Sequence, residues 1–158
     1  MTLAKPIGAT ILLLIGIVLS RRGVQAEKRR LEVLEAWIRL LYEIRTQIDC
    51  FSLPIQDVLK DTDQSLLALL GAKQPPTSLA SLLQASRENV DKECARLLSG
   101  MVKEIGTHSR TEQVKRCDYY LTQLEKARDV RRAQLPGRIR LCLTLHLCVC
   151  LGSVILLW

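Results

Sequence analysis

The sequence predicts an all-α protein, a helical bundle of about six helices flanked by N-terminal and C-terminal transmembrane helices. Only 4% of its 158 residues are aromatic, so a core must consist mostly of Leu, Ile, Val and Ala, which suits helices. Apolar residues recur every three or four positions through the middle of the chain, and no stretch alternates with a period of two. The two ends carry almost no charge, which is typical of membrane spans.

The first apolar segment covers residues 6–20, reads PIGATILLLIGIVLS and is followed by Arg21 and Arg22. It is a little shorter than the roughly 17–25 residues of a typical span. A cleaved signal peptide is the alternative interpretation, because Val24-Gln25-Ala26 would serve as a cleavage site. The two arginines between the apolar run and that tripeptide favour a transmembrane helix instead.

The second apolar segment covers residues 141–158 and reads LCLTLHLCVCLGSVILLW, which has no charge apart from the titratable His146. Its length is sufficient to cross the hydrocarbon core of a bilayer. We therefore divide the chain into an N-terminal transmembrane helix (1–22), a helical domain (23–137) and a C-terminal transmembrane helix (138–158).

The basic residues beside the two segments predict the orientation. Lys and Arg accumulate on the cytoplasmic side of membrane proteins. Only Lys5 lies on the outer side of the segments. The other flanking basic residues all face the middle domain: Arg21, Arg22, Lys28, Arg29 and Arg30 after the first segment, and Arg128, Arg131, Arg132, Arg138 and Arg140 before the second. We expect a cytoplasmic middle domain and both termini outside.

The middle domain is predicted to consist of amphipathic helices separated by turn residues. A helix at 26–48 is expected to continue from the first span. Asp61-Thr62-Asp63 can cap a later helix, Thr77 or Ser78 can cap another, and Pro136-Gly137 is expected to end the last. The further predicted helices cover 54–60, 66–70, 79–83, 90–105 and 109–134, with a turn at 49–53.

No motif of a catalytic or nucleotide-binding site is present, including the phosphate-binding GxxxxGK[ST] loop and the zinc-binding HExxH helix. We therefore expect no enzyme, no cofactor and no metal. One alternative stays open, a membrane metal or redox protein, because Cys142, His146 and Cys150 share one helix face at four-residue spacing. One helix supplies only three ligands where zinc prefers four, and cysteine also serves as a small apolar residue.

The formal net charge of +7 is compatible with nucleic acid, anionic lipid or acidic protein as a partner. The basic stretch 126–140 has no interleaved aromatic residues and no nucleic-acid motif, so nucleic acid is not expected. A basic collar beside the membrane is favoured, which leaves a lipid-binding structural protein as a further alternative.

Four stretches of the sequence are similar to those of one bacterial family. They are Leu41-Tyr42-Glu43-Ile44, Phe51-Ser52-Leu53-Pro54-Ile55, Glu104-Ile105-Gly106-Thr107, and the last segment with Gly152 and Ile155-Leu156-Leu157. In order, size and spacing, the chain resembles the stage III sporulation protein AB family over nearly its whole length. The helical domain of that family is in turn similar to platform protein F of type II secretion and type IV pilus machines.

The resemblance implies a non-enzymatic membrane scaffold of a secretion-like sporulation channel, which links a cytoplasmic ATPase to a transenvelope complex needed for endospore formation. The expected partners are the stage III sporulation AA ATPase and other channel proteins, with homo-oligomers left open, and the expected location is the mother-cell membrane. The candidate partner contacts lie on the last long helix and on the turn at 52–54: Ser52, Leu53, Pro54, Arg110, Lys115, Arg116, Lys126, Arg131 and Arg132.

Overall fold

Six α-helices make up most of the chain. The computed structural model describes the backbone of residues 4–51, 54–72, 74, 76–107 and 109–157, and the side chains of these residues except 4–20, 142, 146, 150 and 153–157. The helices are α1 (Ala4–Phe51), α2 (Ile55–Asp61), α3 (Gln64–Leu69), α4 (Leu79–Ser86), α5 (Lys92–Glu104) and α6 (Arg110–Leu157), with a 3₁₀ turn at Arg87–Asn89. The prediction of an all-α protein with about six helices is confirmed.

The chain divides into two compact units. One unit is Arg29–Arg131, and the other comprises the described parts of Met1–Lys28 and Arg132–Trp158. Among the residues that the structure describes, no helix has both the length and the hydropathy needed to cross a membrane. The flanking transmembrane helices are therefore not supported by the structure, although the side chains of 6–20 and 153–158 lie outside the described ones.

Helix α1 supplies more of the apolar core of the unit Arg29–Arg131 than any other helix. Its buried positions span roughly 200° of the helix circumference at 100° per residue, about twice the stripe of an ordinary surface helix. Burying one Val, Leu or Ile side chain contributes about 1.5–3 kcal/mol relative to leaving it exposed. The buried residues of α1 are Val33, Leu34, Ala36, Trp37, Ile38, Leu40, Leu41, Ile44 and Ile48.

The starts and ends of the short helices follow the cap residues predicted from the sequence. The Asp63 carboxylate accepts a hydrogen bond of 2.9 Å from the Ser65 backbone N–H at the start of α3. Ser78 caps α4 in the same way, with its hydroxyl 3.2 Å from the Ser81 nitrogen. Gly71, which follows α3, has a φ of +87°, a left-handed conformation that favours glycine.

Two predicted boundaries of the long helices differ from the structure. Helix α1 continues to Phe51, so the turn predicted at 49–53 begins later than expected. The predicted end of the last helix at Pro136-Gly137 is wrong, because Pro136 lies inside α6. Proline removes one helical hydrogen bond, to the residue four positions earlier. That residue is Arg132, which is exposed, so water can satisfy its carbonyl and the helix continues on both sides.

Helices α1 and α6 run antiparallel within the unit Arg29–Arg131. The Tyr42 hydroxyl donates a hydrogen bond of 3.1 Å to Glu125 Oε1. Three residues later on α1, Arg45 Nε donates one of 2.6 Å to Asp118 Oδ1, which lies seven residues earlier on α6. Both pairs are exposed, so they fix the register of the two helices more than they stabilise the fold.

A buried hydrogen bond links α1 to α4. Trp37 Nε1 donates to the Ser86 hydroxyl at 3.1 Å, and both residues have an exposed fraction of 0%. The Ser86 hydroxyl donates in turn to the Leu83 carbonyl at 3.1 Å. Because a buried indole N–H needs a partner, this pair fixes where the end of α4 lies against α1.

We predict that Ser86→Ala destabilises the protein by about 1–3 kcal/mol, since the buried Trp37 N–H loses its acceptor. Urea unfolding of the full chain in mild detergent, followed by circular dichroism, measures this loss. The matched control is Ser81→Ala, because Ser81 is an exposed serine of the same helix. This substitution should lower the free energy of unfolding by no more than about 0.5 kcal/mol. Equal midpoints for the two variants would contradict the role assigned to the Trp37–Ser86 bond.

Candidate partner-docking site

Two turns that are distant in sequence meet at the surface of the unit Arg29–Arg131. Gly106, between α5 and α6, has a φ of +99°. A Cβ atom at this position would lie 2.9 Å from Ile55 Cδ1, at the start of α2. Glycine is therefore required both by the backbone conformation and by the close approach of Ile55. Pro54 immediately precedes α2 and is exposed.

These two turns form a groove with a volume of about 620 Å³, which we call the turn groove. Pro54 and Arg110, predicted separately as partner contacts, both line it. Arg110 also donates to the Asp49 backbone carbonyl, which ties the start of α6 to the end of α1. Ser52 and Leu53, the other predicted contacts of this turn, lie outside the described residues. The turn groove is lined by Ile48, Pro54, Ile55, Gln56, Gly106, Arg110 and Gln113.

A second candidate surface runs along α6 and consists of Lys115, Tyr119, Thr122 and Lys126, which we call the α6 docking face. Spacings of four, three and four residues place the four side chains on one side of the helix, and all are exposed. Tyr119 has an exposed fraction of 57%. Its ring packs edge-on against that of Tyr120, with 5.3 Å between the ring centroids. An exposed tyrosine is a residue type enriched at protein-binding surfaces.

The structure places the other predicted contacts differently. Arg116 Nη1 lies 2.6 Å from Glu104 Oε2, so this guanidinium bridges α6 and α5. Arg131 bonds to Asp91, the residue before α5. Arg132 is exposed and belongs to the unit that contains the chain ends. Arg116 and Arg131 thus already stabilise packing within the bundle, which leaves Lys115 and Lys126 as the predicted contacts of α6 in the unit Arg29–Arg131 that form no ion pair within the described residues.

Comparison with known proteins gives one informative match. A family model of stage III sporulation protein AB matches residues 5–158. The chain belongs to the stage III sporulation protein AB family. No curated protein and no solved structure is similar enough to the chain to count as a match. Family membership confirms the resemblance seen in the sequence and implies a role in stage III of sporulation.

Two of the sequence stretches that carry the resemblance to the stage III sporulation protein AB family are the ones that form the turn groove. The stretch 51–55 contributes Pro54 and Ile55, and the stretch 104–107 contributes Gly106. Sequence reasoning treated the two turns as separate and missed their contact. It also missed Tyr119, although the tyrosine lies four residues after Lys115 and seven before Lys126 on the polar side of the helix.

The shifted pKa values of the titratable groups in the bundle do not indicate a catalytic site. Burial raises the pKa of the Cys117 thiol to about 11, and burial also raises the pKa of Cys94. Both thiols therefore stay protonated and unreactive near neutral pH. Partial burial, together with the negative charge of Asp63, raises the pKa of Glu43 in a shallow acidic groove beside α2. The side chains of Cys142, His146 and Cys150 lie outside the described ones, so the metal alternative stays untested.

We predict that Gly106→Ala destabilises the protein by about 1–3 kcal/mol, because alanine is strained at a positive φ and its methyl group would displace Ile55. Gly137→Ala is the matched control. It lies inside α6 with no atom within 4 Å of the added methyl, so it should gain about 0.5–1 kcal/mol. Urea unfolding of the full chain distinguishes the two. A Gly106→Ala protein as stable as the parent would refute the packing of the two turns.

Proposed function

We propose that the chain is a non-enzymatic membrane scaffold of the stage III sporulation apparatus, which links a cytoplasmic ATPase to a channel that spans the cell envelope. The observation that carries this proposal is the family match over residues 5–158. The partner is proposed to be the stage III sporulation AA ATPase, together with other channel proteins of the same apparatus. The chain is proposed to act by binding. The exposed side chains of the α6 docking face and the turn groove can contact a partner, whereas the buried thiols of Cys94 and Cys117 stay protonated.

The membrane location is supported by the distribution of apolar side chains along the sequence. Residues 6–20 and 141–158 are long apolar runs, and the basic residues beside them lie on the side of the middle of the chain. On α6 the residues Leu141, Leu143, Leu145 and Leu147 are all exposed, with fractions of 74%, 48%, 62% and 62%. At 100° per residue these four positions fall on two opposite sides of the helix, which suits contact with lipid on more than one side. We place the unit Arg29–Arg131 in the mother-cell cytoplasm and both termini outside.

The α6 docking face is proposed as the surface that contacts the ATPase. Lys115 and Lys126 have no ion-pair partner within the described part of the chain, so both charges are available to a partner. Tyr119 supplies a large amphipathic side chain between them, which is the residue type that most often dominates interface energies. The turn groove, with Pro54 and Arg110, is proposed as an adjoining contact.

We predict that Tyr119→Ala lowers recovery of the ATPase in a pull-down from sporulating cells by about thirtyfold, the effect of losing roughly 2 kcal/mol of binding. The matched control is Tyr42→Ala, since Tyr42 is a tyrosine of similar exposure (48% against 57%) on α1, and its exposed side-chain hydrogen bond to Glu125 contributes little stability. The control should recover the ATPase as the parent does, and both variants should reach the membrane in normal amounts.

Two results would contradict the proposal. If the parent chain recovers no ATPase from sporulating cells, the proposed linkage is wrong. If the parent recovers the ATPase and Tyr119→Ala does so equally well, the partner exists but the assigned surface is wrong. The double variant Lys115→Gln/Lys126→Gln tests the same face independently. Neutralising exposed lysines should change the free energy of unfolding by no more than about 0.5 kcal/mol, so a loss of ATPase recovery would report on binding and not on folding.

A further inference from the structure

A second groove lies between α4 and α5 and shares no lining residue with the α6 docking face or the turn groove. It has a volume of about 970 Å³. Four of its lining side chains are cationic, Arg87, Lys92, Arg96 and Lys103, and all four are exposed. No Asp or Glu lines it among the residues that the structure describes. We call it the basic groove.

The positions of the cations in the basic groove do not stabilise the fold. Lys92 and Arg96 are four residues apart, and like charges at this spacing destabilise a helix by about 0.2–0.5 kcal/mol. Lys92 is also the first residue of α5, at the positive end of the helix dipole, where a cation is unfavourable. Within the described residues none of the four cations forms an ion pair. The nearby Asp91, which could have neutralised them, bonds to Arg131 instead.

The floor of the basic groove is made of small side chains. Ala95 and Ser99 are four residues apart on α5, and Gly100 and Ala80 lie beside them. Small residues at this spacing let another helix approach closely, since its side chains enter the space left between α4 and α5. Leu83 and Val90 are partly buried at the edges and offer apolar contact. The floor therefore suits the apolar side of an amphipathic helix.

The cations lie in a row along the groove. Lys92, Arg96 and Lys103 are separated by four and seven residues, so they share one face of α5 over about 16 Å, which is three helical turns. A partner helix with Asp or Glu at matching positions along three turns would meet each of them. A single lipid headgroup is shorter than this row of cations and would meet only part of it, so a helix of three turns fits the row better.

We propose that the basic groove binds an acidic amphipathic helix of a partner protein. The inference rests on the proposed function in one respect, that the chain acts as a scaffold with more than one binding surface. The acidic residues of the partner would pair with Arg87, Lys92, Arg96 and Lys103, and its apolar residues would cover Ala95 and Ser99. A scaffold with the α6 docking face and the basic groove would hold two partners at the same time.

The test uses a photoreactive amino acid at Ala95 in the full chain, expressed in sporulating cells in place of the parent. The expected result is a cross-link to another protein, mapped by mass spectrometry to a helical segment of net negative charge. Arg96→Glu should lower the yield of this cross-link by about tenfold, the effect of roughly 1.4 kcal/mol. Reversing the captured acidic residues to lysine should restore the yield with Arg96→Glu.

The matched control is Arg39→Glu, which makes the same charge change at another exposed arginine without an ion pair within the described residues. It should leave the cross-link unchanged. Lys103→Glu is a second variant of the groove and should act as Arg96→Glu does. A photoreactive residue at Thr122, an exposed position of the α6 docking face, in the Arg96→Glu chain shows whether that chain still folds, because its cross-link to the ATPase should persist.

Several results would overturn the proposal. They are a cross-link from Ala95 to lipid or to a second copy of this chain, a captured segment without acidic residues, no cross-link at all, or equal yields with Arg96→Glu and Arg39→Glu. Failure of the proposed function looks different, since the cross-link from Thr122 to the ATPase would then be missing even with Arg96 intact. Loss of the Ala95 result alone leaves the ATPase linkage intact.

Discussion

Burial of α1 over more than half its circumference is the constraint on which the unit Arg29–Arg131 depends. Helices α2, α3, α4 and α5 have between 6 and 13 residues, and isolated helices of that length are marginal in water. Each contributes only a few apolar side chains to the core, so it forms only where another helix covers that stripe. Trp37 shows how this works, since its ring fills the core and its N–H fixes the position of Ser86.

The distribution of charge separates structural residues from those available for recognition. Arg45, Arg116 and Arg131 each pair with a carboxylate on another element, so they hold helices together. Lys115 and Lys126 on α6 have no such partner within the described residues, and neither do the cations between α4 and α5. The chain has a net charge of +7, so the number of basic residues on a helix does not identify a binding surface. The proposed binding surfaces are instead those whose basic residues form no ion pair within the described residues.

Most of the fold could be predicted from the sequence because helix periodicity and caps are local signals. Cys117, Leu121 and Leu124 recur at helical spacing on α6 and are buried, and Asp63 and Ser78, each among the predicted cap candidates, begin helices. The exact ends of the helices were harder to predict, since a proline ends a helix only where the carbonyl that loses its hydrogen bond finds no other partner. A proline at an exposed position did not end α6.

The candidate surfaces could be predicted only in part. Lys115 and Lys126 follow from the polar side of an amphipathic helix. The contact between Ile55 and Gly106 does not, because it joins residues 51 positions apart through tertiary packing. The internal pairing of Arg116 and Arg131 was equally invisible, since a sequence does not show which carboxylate a guanidinium meets. The basic groove needs α4 and α5 side by side, which no local pattern specifies.

The proposed function requires the helical unit to lie in the cytoplasm, where an ATPase can reach it. Cys50 tests this directly, because it is a free, exposed thiol of that unit. Cys94 and Cys117 are buried, so replacing Cys142, Cys148 and Cys150 with Ala leaves Cys50 as the reactive thiol. A membrane-impermeant maleimide should leave Cys50 unlabelled in intact protoplasts and label it after lysis. Labelling of Cys50 in intact protoplasts would contradict the account.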